Sequence, residues 1–434
     1  MTPLAHGVGS RTDLPIPLGL ALYGAGAVVL FGFAVLLLFW RRPHLGGPGS
    51  GRPLPAGVQR LADATSVRRA AQAVALLLAV VVPVAAFAGP ADPDRNLAPW
   101  ALYVTFWVGL VPASLLLGPV WRVANPLRLL HAGLRRVLPP PPAVALLPRL
   151  GLWPAAVSLL VFLFFELVLP TRAEPAVVGG FLVGWAAAHL ALAAVFGEDW
   201  FARGDGFEVY STLVARLSPW GRRDDGRLVL RDPLSNANAV PETPGLAAVV
   251  VVLLGSTGFD GLSRTESWQT GPGAADDALS GTLGLLAVVA LVAVLYLAGT
   301  RLSGRMAGRP PGPQPRRYAA TVLPIALGYT VAHYASLLLL DGQRTWILAS
   351  NPLGRDGVDL FGTAANVVDL TAIPPDAIAY VQVGAVVLGH VLGVVLAHER
   401  ALRSAPRARA SDQLPLVTVM TLLTVGGLGL LFGF

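Results

Sequence analysis

The chain contains no cysteine. Disulfides, thiolate metal sites, iron–sulfur clusters, covalent c-type haem and cysteine nucleophiles are therefore excluded. It has no lysine either: all 32 basic residues are arginine, which removes Schiff-base chemistry and a P-loop lysine. Charge of either sign is scarce, at 13% of the 434 residues, where a soluble protein carries roughly 25%. Catalytic signatures are missing as well. There is no H-E-x-x-H, no nucleophile elbow, no G-x-x-x-x-G-K-[ST] and no Rossmann fingerprint in a βαβ setting.

What the chain has instead is apolar length. Hydrophobic residues make up 54% of it and mean hydropathy is +0.63. A membrane-spanning helix needs roughly 20 mostly apolar residues. Such segments lie near 16–40, 70–88, 100–121, 152–170, 176–197, 245–262, 279–300, 319–340, 376–398 and 413–434. The expected fold is an all-α polytopic bundle of about ten transmembrane helices forming one integral membrane domain over residues 1–434, with interfacial amphipathic helices and no large soluble domain. The first span is too long for a cleavable signal peptide, and Asp13 stands where a basic n-region belongs.

The arginines set the expected orientation. With the amino terminus outside, the cytoplasmic segments 41–69, 122–151, 198–244, 301–318 and 399–412 hold 26 arginines and the external ones hold six. Cytoplasmic loops collect Arg. The expected location is thus the cytoplasmic membrane, with both termini extracytoplasmic. The sequence pI near 10.3 then points to anionic lipid headgroups at the cytoplasmic face as partners. Nothing resembles the basic, aromatic-interleaved helix of a nucleic-acid binder.

Loop texture adds detail. Leu127, Leu130, Leu134 and Val137 recur at helical spacing beside Arg128, Arg135 and Arg136, as in a helix lying on the inner membrane surface. Residues 206–218 carry a similar expectation. Residues 224–232 suggest a small hairpin around Arg227-Leu-Val-Leu-Arg231.

Polar groups inside hydrocarbon are expensive, so an intramembrane ionisable residue is a functional hypothesis by default. At 1.5 Å of rise per residue, Glu166 lies roughly 6 Å and His333 roughly 10 Å below the outer surface, with Asp260 at the outer edge. Two carboxylates and an imidazole suit a divalent ion such as zinc and also general acid–base work. His6 and Asp13 fall on the same side. The competing reading is that each group is satisfied at a wet helix end. His189 and His390 lie deeper, each roughly 20 Å from the outer surface. Bis-imidazole haem b would use such a pair, but only two histidines at similar depth point to it, against the simpler reading of two buried histidines satisfied within the bundle. The sixth span reads Gly255-Ser256-Thr257-Gly258-Phe259-Asp260-Gly261, a composition that suggests a broken helix lining a cavity.

Several strings are similar to a known family. They are His6-Gly7, Arg11-Thr-Asp-Leu-Pro15, Asn96-Leu-Ala-Pro99, Phe106-Trp-Val-Gly-Leu-Val-Pro-Ala-Ser-Leu115, Arg216-Leu-Ser-Pro219, Thr257-Gly-Phe-Asp-Gly261, His333-Tyr334, Asp359-Leu-Phe-Gly-Thr363, Gly389-His390 and Ala397-His398-Glu399-Arg400-Ala401-Leu402. By these the chain resembles the actinobacterial multi-pass integral membrane proteins called fenitrothion hydrolase. The resemblance implies hydrolysis of a phosphorothioate triester and carries over no catalytic residue. Three readings of function stand at this point. The first is a transporter-like protein with an outward-facing polar intramembrane site. The second is a membrane-embedded hydrolase of organophosphorus triesters, with or without a metal. The third is a structural subunit of a membrane assembly.

Overall fold

The computed structural model describes residues 18–275, 277–404 and 409–432. Among them, nine helices are long and apolar enough to cross a membrane, and ten when a bent pair is included. They are α1 (Leu18–Phe39), α2 (Thr65–Ala88), α3 (Leu97–Leu117), α4 (Trp153–Leu167), α5 (Pro175–Phe196), α7 (Leu246–Ser263), α8 (Ala278–Met306), α9 (Gln314–Ala349), α10 (Pro375–Ser404) and α11 (Ala410–Phe432). α4 is short, and it is extended by Val144–Leu150 across a 75° bend. Each expected span has its helix. Apolar side chains outside this bundle stay uncovered, as on α2 (Val74, Leu77, Leu78) and α8 (Leu283, Leu291, Val294), which is what a lipid-facing surface requires.

The helices pack through small residues. α10 lies against α9 at Gly389 and Gly393, and a Cβ on Gly389 would stand 2.5 Å from the Pro324 carbonyl oxygen. Such small-xxx-small spacing lets backbones approach where no hydrophobic effect drives helices together. α1 packs on both α10 and α11, so the first and last spans are neighbours. α3 and α9 contain wide, π-type turns at Trp100–Val108 and Leu337–Asp341.

Two expectations are corrected. The sixth span is not broken: α7 runs as one helix through Gly255, Ser256, Thr257, Gly258 and Gly261. Its glycines serve close packing. A Cβ at Gly255 would meet the Val289 backbone at 2.6 Å, one at Gly258 would meet Val288 at 3.2 Å, and one at Gly261 would meet Leu430 at 3.0 Å. The Ser256 and Thr257 hydroxyls donate back to the Leu253 carbonyl. The second correction concerns residues 206–218. Helix α6 (Gly206–Val214) does not lie on a surface: Phe207, Glu208, Val209, Tyr210, Ser211, Leu213 and Val214 are all buried. Phe207 sits among Phe106, Trp107, Phe162 and Trp185, with ring centroids 4.7 to 6.0 Å apart. Aromatic burial against α3, α4 and α5 outweighs a position in the interface. The helix Pro126–Leu134 turns Leu127 and His131 inward and leaves Leu130 and Leu134 uncovered, so the leucines expected on one face are divided between the bundle and its surface, and Val137 lies beyond the helix end.

The hairpin forms. Strands β2 (Trp220–Arg222) and β3 (Leu228–Leu230) pair antiparallel, and β1 (Arg52–Pro53) joins on the far edge of β3. Nearby, Glu399 of α10 is fully buried and ties down the chain after α1. It accepts from the Trp40 indole (3.0 Å), the backbone N–H groups of His44 and Leu45, and Arg403 (2.9 Å).

Candidate functional site

The three outer-end candidates come from three different helices. Glu166 is one residue before the end of α4, Asp260 is three before the end of α7, and His333 is on α9. Chain direction brings all three to the same end of the bundle. Each is about 2% exposed.

Asp260 is the centre. Its Oδ2 accepts from the Tyr334 hydroxyl at 2.8 Å. The Arg264 guanidinium, one turn later at the C-terminal cap of α7, donates to Oδ1 at 2.9 Å and Oδ2 at 3.2 Å. The His333 Nδ1 faces Oδ2 at 3.8 Å, beyond hydrogen-bond range, and has no partner of its own among the described residues. Approach by about 1 Å would convert this gap into a hydrogen bond. Glu166, near the end of α4, is buried at the same end of the bundle, and its Oε2 has no hydrogen-bond partner among the described residues. The carboxyl therefore has acceptor or donor capacity to spare.

A cavity lies beside this group. It measures about 20 Å³ and is lined by the hydroxyl-bearing Tyr210, Ser256, Thr257, Thr330 and Tyr334 among apolar residues such as Trp107 and Leu253. That is room for about one water molecule. Tyr334 belongs to both places: it donates to Asp260 and walls the cavity. Tyr210, across the cavity on α6, is 3.5 Å from the Thr330 hydroxyl. The arrangement is an acid–base cluster connected by one phenol to a small hydroxyl-lined chamber. It suits the holding and passing of protons, and coordination of a small polar solute if the chamber widens.

The metal expectation fares differently. Among the described residues, no group of three or more His, Cys, Asp or Glu side chains comes together to hold a metal ion. Arg264 occupies the carboxylate edge that a cation would need. His6 and Asp13 lie outside the described residues.

The deeper histidines do not meet. His189 on α5 accepts from the Trp200 indole at 3.0 Å and lies tilted against Trp185, ring centroids 4.6 Å apart. His390 on α10 donates from Nδ1 to the Val386 carbonyl at 2.9 Å and abuts Tyr329 edge-on. α5 packs on α2, while α10 packs on α9, α1 and α11. The bis-imidazole haem arrangement is thereby corrected: chain depth matches, but the two helices belong to different parts of the bundle. His398 is a structural group. It donates from Nε2 to the Trp40 carbonyl, and its Nδ1 is 2.8 Å from the Gln413 side-chain amide.

A second polar cluster was not foreseen. Asn125 donates to Asp205 (2.9 Å) and Glu208 (3.1 Å), and Arg128 pairs with Glu208 (2.5 Å) and Glu198 (2.9 Å). Asp205 also caps α6 by accepting from the Phe207 N–H. Burial pushes the Asp205 carboxyl up to about 6 and also raises Glu208. These groups fasten α6 inside the bundle. Their sequence signal was the Asp205-Gly-Phe-Glu208 capping spacing, one turn of helix. Arg264 and Tyr334 were readable in the same way, as the i+4 partner of Asp260 and the neighbour of His333.

Comparison with known proteins brings no match: no protein-family model, no curated protein and no solved structure is similar to the chain.

Proposed function

We propose that the protein is a multi-pass carrier of the cytoplasmic membrane. Its proton-handling site is the Glu166, Asp260, His333 and Tyr334 group, which faces the extracytoplasmic side. One observation carries this reading. A buried carboxylate, Asp260, is joined through Tyr334 to a hydroxyl-lined cavity in the middle of the bundle, with spare capacity on Glu166 and His333 beside it. Ionisable groups are costly in hydrocarbon and are retained where they line a pathway or relay protons. The orientation rests on the 26-to-six arginine asymmetry, which puts both termini and the Asp260 end outside. A cavity of about 20 Å³ holds no solute larger than water, so on this reading a carrier would be closed here. Transport then requires α4, α7 and α9 to part at the Asp260 end.

The test is a pH jump applied to proteoliposomes on a solid-supported membrane. The wild type gives a charge-displacement current. Asp260→Asn, Glu166→Gln and His333→Gln each reduce it to the level of empty vesicles, while Asp356→Asn in the exposed loop leaves it intact. Equal currents from all five proteins overturn the carrier reading. Hydrolysis of a phosphorothioate triester by metal-loaded protein, without any pH-driven current, puts the hydrolase in its place.

A further inference from the structure

At the bundle end opposite Asp260, several arginines are held by a carboxylate. Arg128 has Glu198 and Glu208, Arg222 has Asp63, Arg317 has Glu242 and Arg403 has Glu399. Arg122 and Arg216 make no ion pair among the described residues. Arg122 projects from the short helix Val120–Ala124 and Arg216 from the turn Ala215–Leu217. Among the described residues, neither guanidinium has a hydrogen-bond or ion-pair partner.

The two elements are pinned to each other. The Trp121 N–H donates to the Ser211 hydroxyl at 3.2 Å, and Ser211 also bonds Ser114 of α3 at 2.8 Å. On the other side, the Trp220 indole donates to the Leu116 carbonyl at 2.6 Å. These bonds bring the two arginine-bearing segments together at one place in the bundle. The charged groups that act on Arg216 are Arg122 and Arg231, both cations. Arg231 is already engaged with the carbonyls of Pro48, Ser50 and Arg222. Like charges placed together without an acid cost free energy unless an anion from outside the chain neutralises them. Close to Arg122 in the chain, Leu116 and Leu117 are 68% and 72% exposed and Val123 is 38% exposed. This apolar strip continues the lipid-facing end of α3.

We propose that Arg122 and Arg216 together bind the phosphodiester headgroup of an anionic phospholipid, whose acyl chains lie along Leu116, Leu117 and Val123. Guanidinium matches phosphate oxygens in a planar, two-bond fork. Basic pockets at helix ends on the cytoplasmic side take anionic headgroups by the same chemistry. The strip of apolar side chains selects a lipid over a free anion. The site stands whether or not the protein is a carrier.

The experiment uses full-length protein in detergent, stripped of lipid. Phosphatidylglycerol, phosphatidylcholine or inorganic phosphate is added back, and native mass spectrometry counts bound lipid while thermal unfolding reads stabilisation. Phosphatidylglycerol should bind and raise the melting temperature well above the effect of phosphatidylcholine. In the double variant Arg122→Gln/Arg216→Gln its affinity should fall roughly thirtyfold, a factor of about five for each arginine at a membrane surface. Arg122→Gln alone changes an exposed side chain with no hydrogen bond or ion pair to lose among the described residues, so it tests the site even if the double variant folds poorly. It should weaken binding roughly fivefold. Arg136→Gln, an exposed arginine at the same end, should not. Equal stabilisation by both lipids overturns the proposal, and so does unchanged phosphatidylglycerol binding by Arg122→Gln. Stabilisation by inorganic phosphate equal to that by phosphatidylglycerol overturns the lipid assignment.

Discussion

The contact between α9 and α10 offers a measurement with an internal control. Gly389 and Gly384 are on the same helix. A methyl group at Gly384 meets nothing within 4 Å, whereas at Gly389 it would stand 2.5 Å from the Pro324 carbonyl oxygen and 3.3 Å from the Gly328 Cα. Ordinary contact begins near 3.4 Å, so Gly389→Ala forces the two helices about 0.9 Å apart at the crossing. A gap of 0.5–1 Å forfeits about a quarter to a half of each dispersion contact along the seam, and overpacked sites lose about 1–3 kcal/mol. Both substitutions also gain about 0.5–1 kcal/mol by replacing glycine in a helix. That gain cancels in the comparison. Gly389→Ala should therefore be less stable than Gly384→Ala by about 2 kcal/mol, with Gly384→Ala at or above wild type. Equilibrium unfolding in mixed SDS micelles, followed by fluorescence of the ten tryptophans, measures the difference. If Gly389→Ala proves as stable as Gly384→Ala, the close approach of α9 and α10 at this glycine is wrong.

Single cysteines placed in the cysteine-free chain at Asp92, Ala274 and Asp356 should react with an impermeant maleimide from outside, and those at Asp224 and Gly312 only from inside; labelling of Asp224 from outside would reverse the orientation. Burial raises the Asp205 carboxyl from 3.8 to about 6, so the folded state holds that proton more tightly than the unfolded chain does. Stability should therefore fall as pH rises from about 4 to 6, by on the order of 3 kcal/mol; the difference in melting temperature between wild type and Asp205→Asn reads this directly, and a difference that grows in the opposite direction refutes it. Glu399→Ala leaves the Trp40 indole, two backbone N–H groups and Arg403 without their acceptor, a loss of about 3 kcal/mol or more; amide exchange at His44 and Leu45 should accelerate roughly a hundredfold, and unchanged protection would mean Glu399 does not hold this strap.

The nine or ten spans were legible because hydrocarbon imposes a rule that acts locally. Backbone N–H and C=O groups must be satisfied within the segment, so each crossing needs about 20 apolar residues in a helix. That rule acts on each stretch by itself, and no tertiary contact can override it. Depth was legible for the same reason, and it brought Glu166, Asp260 and His333 to one end of the bundle. Tertiary structure decided which of these groups touch. Helical rise gives height but not position around the bundle, so His189 and His390, equal in depth, end on helices with different neighbours, while Asp260 meets Tyr334 across α7 and α9. The glycines of α7 show the other limit. Read alone, Gly255, Gly258 and Gly261 favour a break; packed against Val288, Val289 and Leu430, they become the means of close approach, because the contact that rewards a missing side chain belongs to another helix. Residues 206–214 follow the same logic: their amphipathic pattern fitted a surface, and the aromatic cluster around Phe207 with the Asn125 and Arg128 partners of Glu208 drew them inside.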